Sequence, residues 1–135
     1  MKNFESVVKI QRPINEVYGF LADMNNHKDL MPENVIDWTS TADEAAFSIK
    51  NMAKLKVRIG SRIENKEIKI VPVTKPPFDV ELKWTLTPSG DGTSAAFTIA
   101  ADLNMMMKMM ASGPLQKLAD EETQRLAALL NMQTS

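Results

Sequence analysis

Met105-Met106-Met107-Lys108-Met109-Met110-Ala111-Ser112-Gly113-Pro114-Leu115-Gln116-Lys117-Leu118 opens the last stretch of the chain, and its continuation to Met132 decides the fold. From Pro114 onward the pattern is helical. Proline is tolerated in a first turn, where its missing N–H costs nothing. Leu115, Leu118, Ala119, Leu126, Leu129 and Leu130 then recur at helical spacing, interrupted by Glu122 and Thr123. Arg125 follows Glu121 and Glu122 by about one turn, within pairing distance. The expectation is a helix with one face on a core, either a single long C-terminal helix or a short helix joined to a longer one at Gly113-Pro114. Asp120, Glu121 and Glu122 are expected on its solvated face.

The methionine run has a separate meaning. Five of the ten methionines lie between Met105 and Met110. Methionine is flexible and polarizable and fills irregular gaps, so the run reads either as ordinary core packing or as the adaptable wall of an apolar cavity. Gly113-Pro114 would supply a hinge for it.

Working outward, the rest of the chain reads as strands around this helix. Phe4, Ser6, Val8 and Ile10 alternate with Glu5, Val7 and Lys9, and Pro13 stops that strand. A helix carrying Val17, Tyr18, Phe20, Leu21 and Met24 follows, capped near Asn15 and ended at Asn25-Asn26, then a short turn from His27 to Met31. Six strands come next. Val35 to Thr39 contains Trp38. Ala45, Phe47, Ile49 and Asn51 share one face of the second. Leu55, Val57, Ile59, Ser61 and Ile63 alternate with charged residues in the third. Glu67 to Val73 is the fourth, with Pro72 marking an edge or bulge. After the rigid turn Lys75-Pro76-Pro77, Val80, Leu82, Trp84 and Leu86 alternate cleanly. Ser89-Gly90-Asp91-Gly92 is a hairpin turn, and Ala95, Phe97, Ile99, Ala101 and Leu103 form the inward face of the last strand. The class is α+β: an antiparallel sheet whose strands each have one apolar face, with a single helix long enough to cover it. A curved sheet closing on one helix leaves a cavity between them.

Composition sets limits. At 135 residues the chain reads as one domain, 1–135, large enough for a core. Apolar content of 44% and charged content of 24% are those of a soluble globular protein. A net charge of -1 gives no field to attract nucleic acid, which is not an expected partner. The absence of cysteine excludes disulfides, Cys-based metal sites and a Cys nucleophile, and fits a cytoplasmic setting. No stretch approaches a signal core or a membrane span, so integral membrane association is not expected. The oligomeric state is not encoded in these features.

The run Phe4-Glu5-Ser6-Val7, then Ile10-Gln11-Arg12-Pro13-Ile14-Asn15-Glu16-Val17-Tyr18-Gly19-Phe20-Leu21-Ala22-Asp23, with Leu30-Met31-Pro32, the Trp84 strand and the terminal helix, resembles the START-like helix-grip superfamily. The similarity is to its SRPBCC, polyketide cyclase/dehydrase-like branch and covers nearly the whole chain. It implies a seven-stranded antiparallel sheet gripping the C-terminal helix, two short helices between strands 1 and 2, and a hydrophobic pocket. Proteins of this kind bind lipids, sterols, polyketides or other apolar molecules, and some are cyclases.

Candidate chemistry is sparse. His27, the single histidine, sits beside Lys28 and Asp29 in what reads as an exposed polar turn, with no second histidine for a metal pair. No catalytic residue, metal ligand or cofactor is therefore assigned. Lys50, Lys54, Lys56, Arg58 and Arg62 form a basic strip without interleaved aromatics, as suited to protecting strands from aggregation as to meeting an anionic surface. Tyr18, Trp38, Asn51 and Ser61 are candidates for polar contacts in the pocket. The expected lining is Tyr18, Trp38, Phe47, Ile49, Val57, Ile59, Trp84, Phe97, Met106, Met109, Met110 and Leu118, which favours binding of a small hydrophobic ligand such as a lipid or polyketide. The alternatives are a polyketide cyclase or dehydratase, needing Tyr18, Asn51, Ser61 or His27 to converge, and an interaction module without a ligand.

Overall fold

The structure is a computed structural model, and it describes residues 1–50, 53–73 and 79–131. The element order is β1 (Lys2–Ile10), α1 (Ile14–Leu21), a 3₁₀ helix (Met24–Leu30), β2 (Val35–Ser40), β3 (Glu44–Ile49), β4 (Ala53–Ile63), β5 (Glu67–Pro72), β6 (Val80–Ser89), β7 (Gly92–Ala101) and α2 (Met105–Asn131). The strands form one antiparallel sheet in the order β1-β7-β6-β5-β4-β3-β2. The expected architecture is thus present: a seven-stranded sheet, a long C-terminal helix and two short helices between the first two strands. The proposed turns at Asn51 and at Lys75-Pro76-Pro77 lie outside the described residues.

Period-2 alternation fixes which face each strand turns inward. Phe4, Ser6, Val8 and Ile10 stand opposite Ile99, Phe97, Ala95 and Thr93, which stand opposite Leu82, Trp84, Leu86 and Pro88. Ile68 and Ile70 continue these rows into β5. The core is built on this face: Phe4, Ile10, Ile68, Ile70, Trp84, Leu86, Phe97 and Ile99 are buried. Trp84 and Phe97 stack with ring centroids 4.6 Å apart. The β6–β7 hairpin closes through Gly90 at φ 57°, the positive φ that the first central position of a type II′ turn requires.

Two irregularities redirect the alternation. In β2 the register shifts between Ile36 and Thr39, and Asp37 adopts φ 56°. The extra residue turns Trp38 inward, where it stacks on Phe47 at 5.4 Å. In β4 the register shifts between Ile59 and Ser61. Simple alternation places Ser61 and Ile63 inward; the bulge instead leaves both exposed, and Arg62 takes the inner face opposite Ile68. Arg62 donates from Nε and Nη2 to the Ala22 carbonyl at 3.0 and 2.8 Å, and from Nη2 to the Ala42 carbonyl at 3.0 Å and Asp43 Oδ1 at 2.8 Å. One guanidinium thereby ties the end of α1 to the β2–β3 turn and to β4. The bulge also breaks the basic strip, since Arg62 leaves it. On the outer face Lys56 meets Glu44, Lys69 meets Glu81 and Lys83 meets Glu67, at 3.5, 3.5 and 3.9 Å.

The terminal helix is one continuous element from Met105 to Asn131, with Pro114 inside it, so Gly113-Pro114 does not divide it in two. No helix among the described residues is long and apolar enough to cross a membrane. From Gln116 onward α2 is fastened to β1 and to the two residues that follow it. Ser6 Oγ and Thr123 Oγ1 lie 2.7 Å apart, Gln116 Nε2 donates to the Glu5 carbonyl at 3.1 Å, Gln11 N donates to Asn131 Oδ1 at 2.7 Å, and Arg12 Nε donates to the Leu130 carbonyl at 3.0 Å.

If Arg62 is the tie, Arg62→Ala should destabilise the fold by about 2–3 kcal/mol, the loss of charge-assisted hydrogen bonds to carbonyls left short of partners. Arg62→Lys should recover only part of this, because a lysine cannot present the planar fork that reaches both carbonyls. Urea denaturation of the two variants measures it, and equal stability of the lysine variant and wild type would reject the fork.

Candidate functional site

The inner face is covered unevenly. Helix α2 packs principally on β1, β7 and the 3₁₀ helix, while α1 and the 3₁₀ helix cover the end of the sheet near Ala45, Ile59 and Leu86. At the opposite end, where β6 begins and β7 runs into α2, the inner residues Phe47, Ile49, Leu55, Val57, Val80 and Leu82 are only half-buried. These strands present an apolar groove beside the helix. An open depression of about 430 Å³ lined by Asp37, Ala46, Phe47, Ser48, Lys54, Leu55 and Lys56 lies at the β2–β4 edge. Most of its lining alternates with the inner residues and so belongs to the outer face, away from Trp84.

Of the lining expected from sequence, Trp84, Phe97 and Ile59 are buried on the inner face, and Trp38, Phe47, Ile49 and Val57 are half-buried on it. Tyr18 and Leu118 are half-buried against the core. The methionines are placed differently. Met105, Met106, Met109 and Met110 are exposed, Met109 at 86%, and only Met107 of the run packs against the core. The spacing of 105, 106, 109 and 110 puts these four on one solvent-facing stripe of α2, while Met107, Ala111, Leu115 and Leu118 take the core side. Ser61 is exposed on the outer face, Asn51 lies outside the described residues, and Trp38 Nε1 donates to Ser40 Oγ at 3.0 Å.

His27 is not in an exposed turn. It is 1% exposed within the 3₁₀ helix, and its Nε2 lies 2.8 Å from the Leu21 carbonyl. Burial lowers its pKa, opposed by the bond to Leu21 and the charge of Asp23. That role is structural: the ring satisfies the end of α1.

The group that sequence reasoning misplaced is Glu122. It is 3% exposed, not solvated. The helix sides explain why. Gln116, Thr123 and Asn131, which reach β1, run along one side of α2. Leu115, Glu122 and Leu129 repeat at intervals of seven along another side, roughly 130° round the axis. Leu115 and Leu129 pack against the core, so Glu122 shares an apolar line of the helix. Its level is also fixed. Thr123 meets Ser6, which stands opposite Phe97, which stands opposite Trp84. Trp84 is fully buried, yet its Nε1 has no hydrogen-bond partner among the described residues; Ser112 Oγ, one of the helix hydroxyls, is in the same condition. Burial alone pushes the Glu122 carboxyl up to about 8, so it carries its proton at neutral pH. The interruption of the leucine stripe was the signal available in the sequence.

The family model for polyketide cyclase / dehydrase and lipid transport matches residues 1–131. No curated protein matches the sequence. Among solved structures, the chain is similar to XoxI from Bacillus cereus, with a TM-score of 0.78 and 10% identity over 96% of each chain. It is similar to KanY, with a TM-score of 0.79 and 12% identity over 96% of this chain and 97% of that one. It is similar also to the di-domain ARO/CYC StfQ from the steffimycin biosynthetic pathway, with a TM-score of 0.75 and 10% identity, covering 95% of this chain and 50% of that one. At these identities the likeness is one of fold.

The buried carboxyl generates a pH dependence. Its proton is bound more tightly in the folded chain than at the ordinary value of 4.5, so its contribution is fully present below about 4.5 and is lost as pH rises through about 8. His27 runs the other way: its lowered pKa costs stability as pH falls below the ordinary 6.5. Of the elements packed on α2, the inner row of β1 carries one titratable side chain, Lys2 at its far end, that of β7 carries none, and the 3₁₀ helix adds Lys28 and Asp29. Subtracting the profile of Glu122→Gln from that of wild type cancels the histidine. The difference should fall by about 3 kcal/mol between about pH 4.5 and 7, by urea denaturation across that range. A flat difference would place Glu122 in water.

Proposed function

The chain belongs to the polyketide cyclase / dehydrase and lipid transport family, and on that premise we propose that it binds a small hydrophobic molecule, a lipid, polyketide or similar apolar metabolite, in the groove between the sheet and α2. One observation carries the reading. The inner face of β3 to β6 is apolar apart from Arg62, yet α2 covers the β1–β7 side and leaves Phe47, Ile49, Leu55, Val57 and Leu82 half-buried. An apolar ligand lying there removes that surface from water, at roughly 25 cal/mol per Å².

Binding is favoured over cyclase or dehydratase chemistry. Of the side chains such a reaction would recruit, Ser61 is on the outer face and His27 is engaged with Leu21. The ligand-contacting set we propose is Trp38, Phe47, Ile49, Val57, Ile59, Trp84 and Phe97, with Tyr18 and Leu118 behind them. Met106, Met109 and Met110 lie on the other side of α2 and are left out of it. A cytoplasmic setting is part of the reading, supported by the cysteine-free sequence.

A neutral apolar dye such as Nile red should bind the folded protein with a dissociation constant of about 1 μM, or about 8 kcal/mol. Val57→Lys, which sets an ammonium on the inner face, should weaken this by about tenfold or more. The double variant Met109→Lys/Met110→Lys should bind within about twofold of wild type, its side chains already standing in water. Dye fluorescence reads binding and circular dichroism confirms folding. A folded Val57→Lys variant with wild-type affinity would remove the groove as the site.

A further inference from the structure

We infer that Met105, Met106, Met109 and Met110 form a thioether site for a soft monovalent cation, Cu(I) or Ag(I), on the exposed side of the first turns of α2. The site is separate from the groove and does not depend on it.

The stripe is the part of the molecule to which the groove gives no role. Its four side chains are 82, 72, 86 and 73% exposed, in chain order. Burial of large apolar side chains is favourable, so four left together in water call for a reason. An apolar contact would be served by leucine, which the core side of the same helix uses at Leu115 and Leu118. What methionine adds to an apolar side chain is a polarizable sulfur. The chain has no cysteine, so thioethers are its only soft donors.

Helical geometry gathers the sulfurs. Asn104 fixes the start of α2: its Oδ1 accepts from Met107 N and its carbonyl from Lys108 N, both at 2.9 Å. Met105 and Met106 already belong to the helix. Residues three and four apart on a helix have Cβ atoms about 5–6 Å from each other. Met106 thus neighbours Met109 and Met110, and Met109 neighbours Met105 and Met106. Methionine turns about three side-chain bonds, and these four have little packed against them. Two or three of the sulfurs can therefore be brought to one point above the helix.

The donor type selects the ion. Thioethers favour Cu(I), whereas magnesium, calcium and manganese need oxygen ligands and zinc is held by thiolate, imidazole or carboxylate. Helix α2 has no acid in its first turn, and its first acid is Asp120; Asp102 lies exposed before the helix. Lys108 stands about 130° round the axis from the middle of the stripe. The positive end of the helix dipole opposes a divalent ion more than a monovalent one. Among the described residues, no group of three or more His, Cys, Asp or Glu side chains could hold a metal ion. A thioether has no proton to lose, so its binding is independent of pH, unlike that of a histidine, amine or carboxylate site.

Silver nitrate in chloride-free buffer is an air-stable probe. On the full chain labelled with ¹³C-methyl methionine, it should shift the ε-methyl resonances of the four and leave those of buried Met24 and half-buried Met31 in place. Calorimetry should give a dissociation constant of about 10 μM, constant within about twofold between about pH 5.5 and 8, and no binding of Zn(II). Met106→Leu/Met109→Leu should weaken silver binding by about tenfold or more, and by more than Met105→Leu/Met110→Leu does, because the first pair belongs to every close set of three. Leucine keeps the stripe apolar, and circular dichroism confirms the fold. Nile red should bind within about twofold of its metal-free affinity when silver is present, the stripe lying on the other side of α2 from the groove. Wild-type silver affinity in a variant with all four methionines replaced by leucine would reject the site, as would an affinity lost on acidification. Self-association equal in wild type and that variant, with the four methyl resonances unmoved by silver, would also reject it and assign the stripe to contact between copies.

Discussion

A single helix is too narrow for the sheet it packs on. An α-helix with its side chains is about 10–12 Å across. Seven strands at about 4.8 Å spacing span roughly 29 Å, before curvature is considered. Helix α2 is committed to one side of that width by its ties to β1, from Gln116 at Glu5 to Asn131 at Gln11. The remaining inner surface must be covered by something else. Helix α1 and the 3₁₀ helix do this at one end, held there by the Arg62 guanidinium. Over Phe47, Ile49 and Leu55 the cover is partial, Trp38 stacking on Phe47, and all three stay half-buried. The groove is a consequence of helix position and sheet width, and its apolar lining is the sheet's own inner alternation left partly uncovered.

This geometry explains which parts were legible in the sequence. Strands β6 and β7 alternate without interruption, so their burial and the positions of Trp84 and Phe97 follow from period alone. β4 defeats the same reasoning at Ser61, because a bulge shifts the phase by one residue and alternation carries no mark of it. The consequence is large: the residue expected inside is outside, and an arginine expected on a basic strip becomes the tie between three elements. Met105 to Met110 were misplaced for the opposite reason. A run apolar on every side of a helix has no period, so it cannot say which side faces the core; Met107 does and Met109 does not. Pro114 left open whether the helix is single or divided; it is single, the missing N–H costing one bond in an element held by its packing.

His27 and Glu122 were both assigned to water from their polarity, and both are buried. They differ in what meets them. His27 reaches the Leu21 carbonyl at 2.8 Å, within its own segment of chain, and its burial is closed locally. Glu122 meets apolar neighbours along its line on α2 and keeps a neutral carboxyl by its raised pKa. A buried polar group without a partner costs about 1–3 kcal/mol. An apolar side chain at position 122 would complete the stripe formed by Leu115 and Leu129 and spare that cost.

Binding and stability are linked through the groove. An apolar ligand lying over Phe47, Ile49 and Leu55 would add the mass-action stabilisation that any ligand of the folded state gives. Raising the pH acts elsewhere: Glu122, kept neutral by burial, loses its contribution as it ionises near its raised pKa of about 8, and that loss falls on α2 and not on the strands that line the groove.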